Sequence, residues 1–286
     1  MFRYILIAVT SAVFSAMASA QVPVRFHNEA ADTARIDRML IEAEAADLPG
    51  AGARIEWLGR QLLGTTYVGH TLEGQPEMVT VNLDELDCTT YVETVLAMAM
   101  TLGERRSSWR DFVYNLQRVR YRGGTVDGYP SRLHYICDWI VDNTHRGNFD
   151  DVTNRMPKYN YVVKTIDYMS ANADKYPALA DSANLARVRD TEVGYRNHRF
   201  PYVKSADAAD KAVKGALRTG DVVALTSSLK NLDVTHMGII VNKDGEPYLM
   251  HASSSAGKVV VSDLPLDRFL KRNRQFTGFR VIRLRD

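Results

Sequence analysis

The sequence has few of the features that would point to a cofactor, a nucleic acid or a membrane. It has 2 cysteines among 286 residues and a net charge of +2. A charge so close to zero gives no field that would draw nucleic acid or an anionic membrane to the protein. Gly-rich phosphate loops, zinc-ligand spacings and fixed-period repeats are absent, so we expect no metal and no other cofactor. The composition, 45% hydrophobic and 24% charged, is that of a globular protein.

Only the N-terminus carries an extended apolar run. Arg3 precedes an apolar stretch over residues 5–17, and Ala18-Ser19-Ala20 fits the small-x-small rule of signal peptidase. The run is shorter than the roughly 20 residues that a membrane span needs. We therefore predict a signal peptide over 1–20, cleaved before Gln21. The mature protein should be exported, either periplasmic or secreted, and free of the membrane.

The periodicity of apolar residues changes along the chain. Helical spacing comes first, and alternating strands with short turns follow from about residue 220, which predicts an α+β fold. We expect an N-terminal helical segment over 21–49 and one domain over 50–286, with a helical and loop insertion at about 104–217. The predicted helices cover 30–47, 51–63, 88–102, 108–121 and 131–143, and the predicted strands cover 221–226, 236–242, 247–252, 258–262 and 277–284.

The two cysteines, Cys88 and Cys137, allow two interpretations. In an oxidising compartment they could form a disulfide, or one could be a working thiol and the other a buried one. Cys88 opens the clearest amphipathic helix of the chain, with Asp87 at the N-cap position. The positive end of the helix favours a thiolate, so we expect a lowered thiol pKa and N–H groups able to hold an oxyanion. The alternative is a buried cysteine that acts as a small hydrophobe.

A nucleophile needs a base, and His236 is the best placed of the seven histidines. It opens the apolar strand THMGIIV at 235–241, and His251 ends the next strand, YLMHASS at 248–254. Asp244-Gly245 between them is typical of a tight hairpin turn, so the far ends of the two strands should be neighbours. This predicts a thiol, an imidazole and a polar group that orients the imidazole. The alternative is two unrelated histidines of the sheet.

Four markers occur in a characteristic order. They are LDCTTYVETVLA at 86–97, TGDVVAL at 219–225, His236-Met237-Gly238-Ile239, and His251-Ala252. Together they resemble the NlpC-type cell-wall hydrolases, papain-like cysteine enzymes that cut peptidoglycan. The resemblance implies an α+β fold with a papain-like core, in which the catalytic cysteine begins a helix packed on an antiparallel sheet or partial barrel.

The same resemblance implies roles for individual residues. Cys88 is expected to be the nucleophile, His236 the base and later the acid, and His251 the residue that orients His236. Tyr67 matches in position a tyrosine whose hydroxyl points at the oxyanion region of these enzymes. The alternative for Tyr67 is an aromatic ring used in packing.

Residues 50–286 are similar to one branch of these enzymes, the N-acetylmuramoyl-L-alanine amidase-like proteins. The insertion of that branch carries a Tyr-Arg-x-Gly segment and a Ser-Arg-Leu-His-Tyr segment, matched here at 121–124 and 131–135. An arginine there could form a bidentate pair with a carboxylate of the stem peptide, and neighbouring hydroxyls could add hydrogen bonds. The residues predicted to bind substrate are Ser131, Arg132 and Tyr135.

Two residues of this segment also have structural interpretations. Arg132 could instead pair with a local carboxylate, Asp127 or Asp138. Cys137 is expected in the core and outside any disulfide, because a bond to Cys88 would abolish the thiolate. Its expected neighbours on the apolar face of helix 131–143 are Leu133, Ile136 and Ile140.

The function implied by the branch is hydrolysis of peptidoglycan fragments between N-acetylmuramic acid and L-alanine. One alternative, within the same chemistry, is an endopeptidase that cuts the stem after γ-D-glutamate. Another is a wall-binding protein that kept the fold without the activity. We expect muropeptides as the partners, no nucleic acid, and a monomer.

Overall fold

The computed structural model describes residues 23–285, so the predicted signal peptide lies outside the described residues. The helices are α1 Glu29–Ala45, α2 Gly50–Gln61, α3 Cys88–Gly103, α4 Trp109–Arg120, α5 Ile136–His145, α6 Tyr168–Ala171, α7 Ser182–Gly194, α8 Lys211–Ala216 and α9 Leu266–Arg272. The strands are β1 Val24–Phe26, β2 Thr66–Tyr67, β3 Val79–Val81, β4 Glu85–Leu86, β5 Phe149–Asp151, β6 Tyr159–Lys164, β7 His198–Lys204, β8 Val222–Ser227, β9 Val234–Lys243, β10 Glu246–Ser253, β11 Lys258–Pro265 and β12 Phe276–Leu284.

The strands form one large open sheet and one small sheet. The large sheet has ten strands in the order β4-β2-β11-β10-β9-β8-β12-β7-β6, with β5 paired to β12 off this path. Its pairs are antiparallel except for β2 with β4, and the small sheet pairs β1 with β3 in parallel. The predicted α+β class is confirmed.

The two faces of the large sheet pack on different cores. Met237 and Ile239 of β9 lie in the larger core, together with residues of α1 to α4. Ile240 of the same strand lies in the second core, with residues of α8 and α9. This alternation follows from the two-residue period of a strand. Because α3 is covered by the sheet on one side and by helices on the other, it is buried along most of its length.

The segments predicted at 21–49 and 104–217 pack against these layers. Ile36 and Leu40 of α1 lie in the same core as α3. Within the insertion, β6 and β7 pair in antiparallel fashion, although α6 and α7 lie between them in the chain, and they extend the sheet beyond β12. The insertion also has a core of its own, made of Tyr129, Tyr135, Cys137, Ile166, Met169, Leu179, Val188 and Tyr195.

The helix predicted over 131–143 begins later, at Ile136. Pro130 lies in a short 3-10 turn, and the chain after it is extended. Arg132 forms a β-bridge with the chain that follows α4, and the N–H of Leu133 donates to the carbonyl of Arg120 at 2.9 Å. This pairing with a distant segment holds the residues out of the helix, which local periodicity could not indicate.

Cys137 is free and buried, as expected, but its neighbours differ from the prediction. Leu133, Ile136 and Ile140 lie in the larger core, whereas Cys137 lies in the core of the insertion. α5 therefore separates two cores and presents an apolar face to each. Among residues 23–285, no helix combines the length and the apolar character needed to cross a bilayer.

Candidate active site

The start of α3 is fixed by a reciprocal cap. The Asp87 carboxylate accepts the N–H groups of Thr89 and Thr90 at 3.0 and 2.8 Å. The Asp87 N–H in turn donates to the Thr90 hydroxyl at 2.8 Å. This capping box confirms the predicted N-cap and sets Cys88 as the first residue of the helix. It also occupies two of the N–H groups that were expected to be free for an oxyanion.

The thiol of Cys88 has an environment that differs from the expected one. Burial raises the pKa of Cys88 to about 11, and the negative charge of Asp87 adds to the rise. The N–H of Met237, the hydroxyl of Thr89 and the N–H of Cys88 itself oppose this rise in pKa without cancelling it. The expectation of a lowered pKa was wrong, because desolvation and the capping carboxylate outweigh the helix terminus.

This pKa predicts slow alkylation of Cys88 at neutral pH. Since the thiolate is the reactive form, the iodoacetamide rate should rise about tenfold per pH unit across the range below the thiol pKa. The measurement is mass spectrometry of the C137A variant, in which Cys88 is the only thiol, between pH 6 and 10. A rate that levels off below pH 8 would show that the thiol is activated in the free protein and would contradict the pKa given above.

The predicted hairpin brings His236 and His251 together. β9 and β10 are joined through Asp244 and Gly245, both with positive φ (54° and 81°), as a tight two-residue hairpin turn requires. His236 Nε2 lies 2.7 Å from His251 Nδ1, and the rings meet edge to face. Nδ1 of His236 takes no part in this contact. The structure thus confirms the predicted proximity of the two histidines.

Gly238 makes room for this contact. A Cβ at that position would lie 2.6 Å from Leu249 Cδ1 and 3.0 Å from the Cβ of His251. The imidazoles are otherwise enclosed by aromatic rings: His236 stacks on Phe276, and His251 meets Phe269 edge-on. The His-apolar-Gly order of the sequence is therefore a steric requirement of the pair.

Burial lowers the pKa of both histidines, to about 3 for His236 and about 4 for His251, and the charge of His251 contributes to the shift of His236. Both imidazoles are therefore neutral at pH 7, the form that can act as a base. In the unfolded chain the ordinary value of 6.5 applies. The unfolded state thus binds more protons than the folded state as the pH falls from 6.5 to between 3 and 4.

We accordingly expect the free energy of unfolding to fall between pH 6.5 and pH 4. Urea unfolding at a series of pH values measures it, and the decline should be smaller in the H236Q/H251Q variant. H145Q, at an exposed histidine, is the matched control and should keep the decline of the parent. An unchanged slope in H236Q/H251Q would contradict the assignment of buried neutral histidines.

The thiol of Cys88 lies near the backbone of β9, beside the residue that follows His236. The N–H of Met237, the residue next to His236, lies close enough to the thiol to lower its pKa. Among the described residues, the side-chain hydrogen bond of His236 goes to His251 and not to the thiol. Catalytic hydrogen bonds are commonly long in a free enzyme and shorten when substrate binds. The structure brings Cys88 to the start of β9, and the roles assigned to these residues stay predictions.

Tyr67 lies where the sequence placed it, beside the start of α3. β2 pairs with β4 so that Tyr67 is opposite Leu86, two residues before Cys88. Burial raises the pKa of Tyr67, and the negative charges that Cys88 and Asp87 can carry raise it further. The phenol is therefore a protonated donor within electrostatic range of the thiol. Its part in holding an oxyanion stays a prediction.

Arg132 is buried and pairs within the protein, although not with the expected carboxylates. Its Nη2 lies 3.0 Å from Glu73 Oε1, and its Nε lies 3.4 Å from Glu77 Oε1. Asp138 pairs with Arg122 instead, and Asp127 with Arg187. The guanidinium also lies over the ring of Tyr129.

The carboxylates around Arg132 come from a loop that sequence reasoning missed. Glu73 is about one-third exposed, whereas Glu77 is buried and accepts the hydroxyl of Tyr121 at 2.8 Å. Burial raises the pKa of Glu77, against the charge of Arg132. The available signal was the pair of acids in LEGQPE at 72–77, but nothing local relates this loop to a residue about 60 positions away.

Ser131 and Tyr135 are buried and already have partners. The Ser131 hydroxyl donates to the carbonyl of Gly128 at 2.7 Å and accepts the N–H of Asp127 at 2.9 Å. The Tyr135 hydroxyl donates to Glu192 at 2.7 Å. The structure therefore gives both hydroxyls a role inside the insertion, and their predicted contact with substrate is untested.

Asp221, from the TGDVVAL marker at 219–225, forms an ion pair with Arg283. Its two carboxylate oxygens each accept one nitrogen of Arg283 at 2.7 Å, a bidentate pair that ties β12 to the start of β8. Among residues 23–285, no three histidine, cysteine, aspartate or glutamate side chains are grouped as a metal site would require.

The fold and the candidate site now allow a comparison with known proteins. The profile of the AmiA-like family, described as N-acetylmuramoyl-L-alanine amidase-like, matches residues 57–279. An N-acetylmuramoyl-L-alanine amidase from Bacteroides uniformis is 40% identical, with a TM-score of 0.76 over 82% of this chain and 99% of that one. The chain therefore belongs to the AmiA-like, N-acetylmuramoyl-L-alanine amidase-like family.

Two further structures are similar. A Bacteroides fragilis protein named as a candidate xylanase is 38% identical, with a TM-score of 0.74 over 79% of this chain and 99% of that one. A Legionella pneumophila protein is 20% identical, with a TM-score of 0.70 over 91% of this chain and 97% of that one. This similarity shows the shared fold alone. No curated protein sequence matches the chain.

Proposed function

We propose that the protein is a peptidoglycan amidase that hydrolyses the bond between N-acetylmuramic acid and L-alanine in muropeptides. The observation that carries the proposal is Cys88 at the start of α3, with the N–H of Met237 close enough to its thiol to lower the pKa and with the paired His236 and His251 beginning at the adjacent residue. Family membership and the name of the Bacteroides uniformis relative support the choice of bond. We further propose that the core is papain-like and of the NlpC type.

The proposed reaction is acyl transfer through a thioester. Nδ1 of His236 removes the proton of the Cys88 thiol, and the sulfur attacks the lactyl carbonyl of N-acetylmuramic acid. His236 then gives that proton to the leaving amine of L-alanine, and the stem peptide departs. Water, deprotonated by the same imidazole, attacks the thioester, which releases the carboxylic acid and restores the thiol.

His251 suits the role of the orienting residue. For Nδ1 of His236 to accept a proton, its Nε2 must carry one and donate it to Nδ1 of His251, a contact of 2.7 Å. Tyr67 is proposed to donate its phenolic proton to the oxyanion, together with the N–H of Cys88. These donors replace the N–H groups of Thr89 and Thr90 that Asp87 occupies.

Substrate binding in the insertion is proposed to centre on Arg132. Its partner Glu73 is partly exposed, so a carboxylate of the stem peptide can replace it without breaking the buried contact with Glu77. Ser131 and Tyr135 support this residue by fixing the backbone on either side of it. Exchange of one carboxylate for another keeps the guanidinium paired throughout.

A soluble muropeptide assay with mass-spectrometric product identification tests the proposal. Release of an intact stem peptide and a free disaccharide is the expected result. Products cut after γ-D-glutamate would establish the endopeptidase instead. Oligosaccharides released from xylan would establish the activity named for the Bacteroides fragilis relative, and binding without any product would establish a wall-binding protein.

Export is proposed from the predicted signal peptide. Mass determination of the protein isolated from the periplasm or the medium of a producing cell should give a chain that begins at Gln21. A full-length chain found in the cytoplasm would overturn this proposal.

A further inference from the structure

A cavity open to solvent lies on the face of the sheet opposite α3, the face that carries α8 and α9. It has a volume of about 670 Å³ and lies between α9 and the segment after β7. Leu270 and Phe276 give it an apolar floor, and Ser205 lies on one wall. The ring of Phe276, which lines the cavity, also stacks on His236 with centroids 6.0 Å apart. The lining residues include neither Cys88 nor the two histidines, so the cavity is distinct from the candidate active site.

The rim of this cavity is strongly basic. The run RFLKRNR at 268–274 carries four cations in seven residues, of which Arg268, Lys271 and Arg274 line the cavity and are exposed. In contrast to most arginines of the insertion, none of the four forms an ion pair with any carboxylate of residues 23–285. The cavity therefore presents unpaired positive charge to an anionic ligand.

One group in the cavity has the opposite charge. Asp267 pairs with Lys214 through Oδ2 at 3.2 Å, but its Oδ1 is buried and has no hydrogen-bond partner among the described residues. Asp267 thus places a carboxylate in the wall of the cavity, where it attracts a cationic group of a ligand. The cavity thus combines cations at the rim, one carboxylate in its wall and an apolar floor.

We propose that this cavity binds a peptidoglycan stem peptide, other than the one that is cut, through its carboxylates and the amine of its diamino acid. A stem peptide carries several carboxylates for Arg268, Lys271 and Arg274, and its amine can donate to Asp267. The identity of the ligand rests on the proposed function, while the binding site rests on the cavity and its charges. Such a site holds the enzyme on the wall while a neighbouring stem is cleaved.

The test measures binding and not hydrolysis. In a C88A background, purified sacculi are titrated with the parent, with R268E/K271E/R274E, and with R38E/R155E/R189E as a matched control at exposed unpaired arginines. We expect the first triple variant to bind about tenfold more weakly or worse, with a smaller dependence on salt, and the control to bind like the parent. Thermal unfolding of each variant verifies the fold.

Two further competition measurements identify the ligand. An L-Ala-γ-D-Glu-diamino acid tripeptide should compete with sacculi, and acetylation of its side-chain amine should weaken the competition, as should D267A in the protein. Equal binding of sacculi by parent and R268E/K271E/R274E would overturn the proposal. So would competition by anionic phospholipid vesicles but not by the tripeptide. Because the background is inactive, these outcomes are independent of which bond the enzyme cuts.

Discussion

Replacing Cys88 by alanine is expected to abolish hydrolysis of muropeptides while the protein stays folded. The side chain is small and the cap formed by Asp87, Thr89 and Thr90 does not use it, so the helix start should persist. Loss of a nucleophile leaves only substrate positioning, so we expect kcat to fall by about 10⁴-fold or more. Product formation by mass spectrometry and thermal unfolding are the two measurements.

C137A provides the matched control, because Cys137 is the other thiol and lies in the core of the insertion. It should retain the activity of the parent with some loss of stability, since a small buried group is removed. Activity of C88A within tenfold of the parent would refute the nucleophile. Loss of activity in both variants, with both folded, would point to a requirement for thiols that the proposed mechanism does not contain.

Replacing Arg120 by methionine is expected to be among the most destabilising single changes in the protein. Arg120 and Glu93 are each 2% exposed, with Nε and Oε2 at 2.6 Å, and Nη1 of Arg120 also donates to the carbonyl of Thr80 at 2.6 Å. R120M leaves the carboxylate of Glu93 buried without its partner, which typically costs about 3–5 kcal/mol. Urea unfolding measures the change in free energy.

The pH dependence of R120M gives a second readout. Burial already raises the pKa of Glu93, and Arg120 opposes that shift, so its removal must raise the pKa further. A carboxyl with a folded pKa above its unfolded value favours folding at low pH and loses that contribution as the pH rises. The destabilisation of R120M should therefore be larger at pH 8 than at pH 5.

Two controls separate charge from packing. R60M removes the partner of Glu56 in an exposed pair on α2 and should cost at most about 1 kcal/mol. R120M/E93L removes both buried charges and should recover much of the stability lost in R120M. A double variant as unstable as R120M would show that the loss comes from packing around Arg120 and not from an unpaired charge.

The positions of the residues at the start of α3 and in the hairpin could be predicted because their signals are local. Asp87 and Thr90 are three residues apart, which is the spacing of a capping box, and Asp244-Gly245 specifies the turn that aligns β9 with β10. Backbone geometry over a few residues then places Cys88 at the start of its helix, and His236 and His251 at matching ends of their strands. The order of these local markers likewise carried the resemblance to the NlpC-type hydrolases, and the segments at 121–124 and 131–135 indicated the amidase-like branch that the family profile confirms.

The surroundings of these residues depend on contacts between distant segments. The raised pKa of Cys88 comes from burial under other elements, and the partners of Arg132 come from a loop about 60 residues away. The antiparallel pair of β6 and β7 joins the sheet through the pairing of β7 with β12, a contact between segments far apart in the chain.

The sequence by itself determined the helix start, the hairpin and the α+β class, since capping and turn preferences act within a few residues. Only the tertiary structure decided how strongly each group is desolvated, which carboxylate meets which guanidinium, and where unpaired cations gather around a cavity. Solvation and charge pairing are properties of the assembled interior and surface, so they appear only when segments far apart in the chain have packed together.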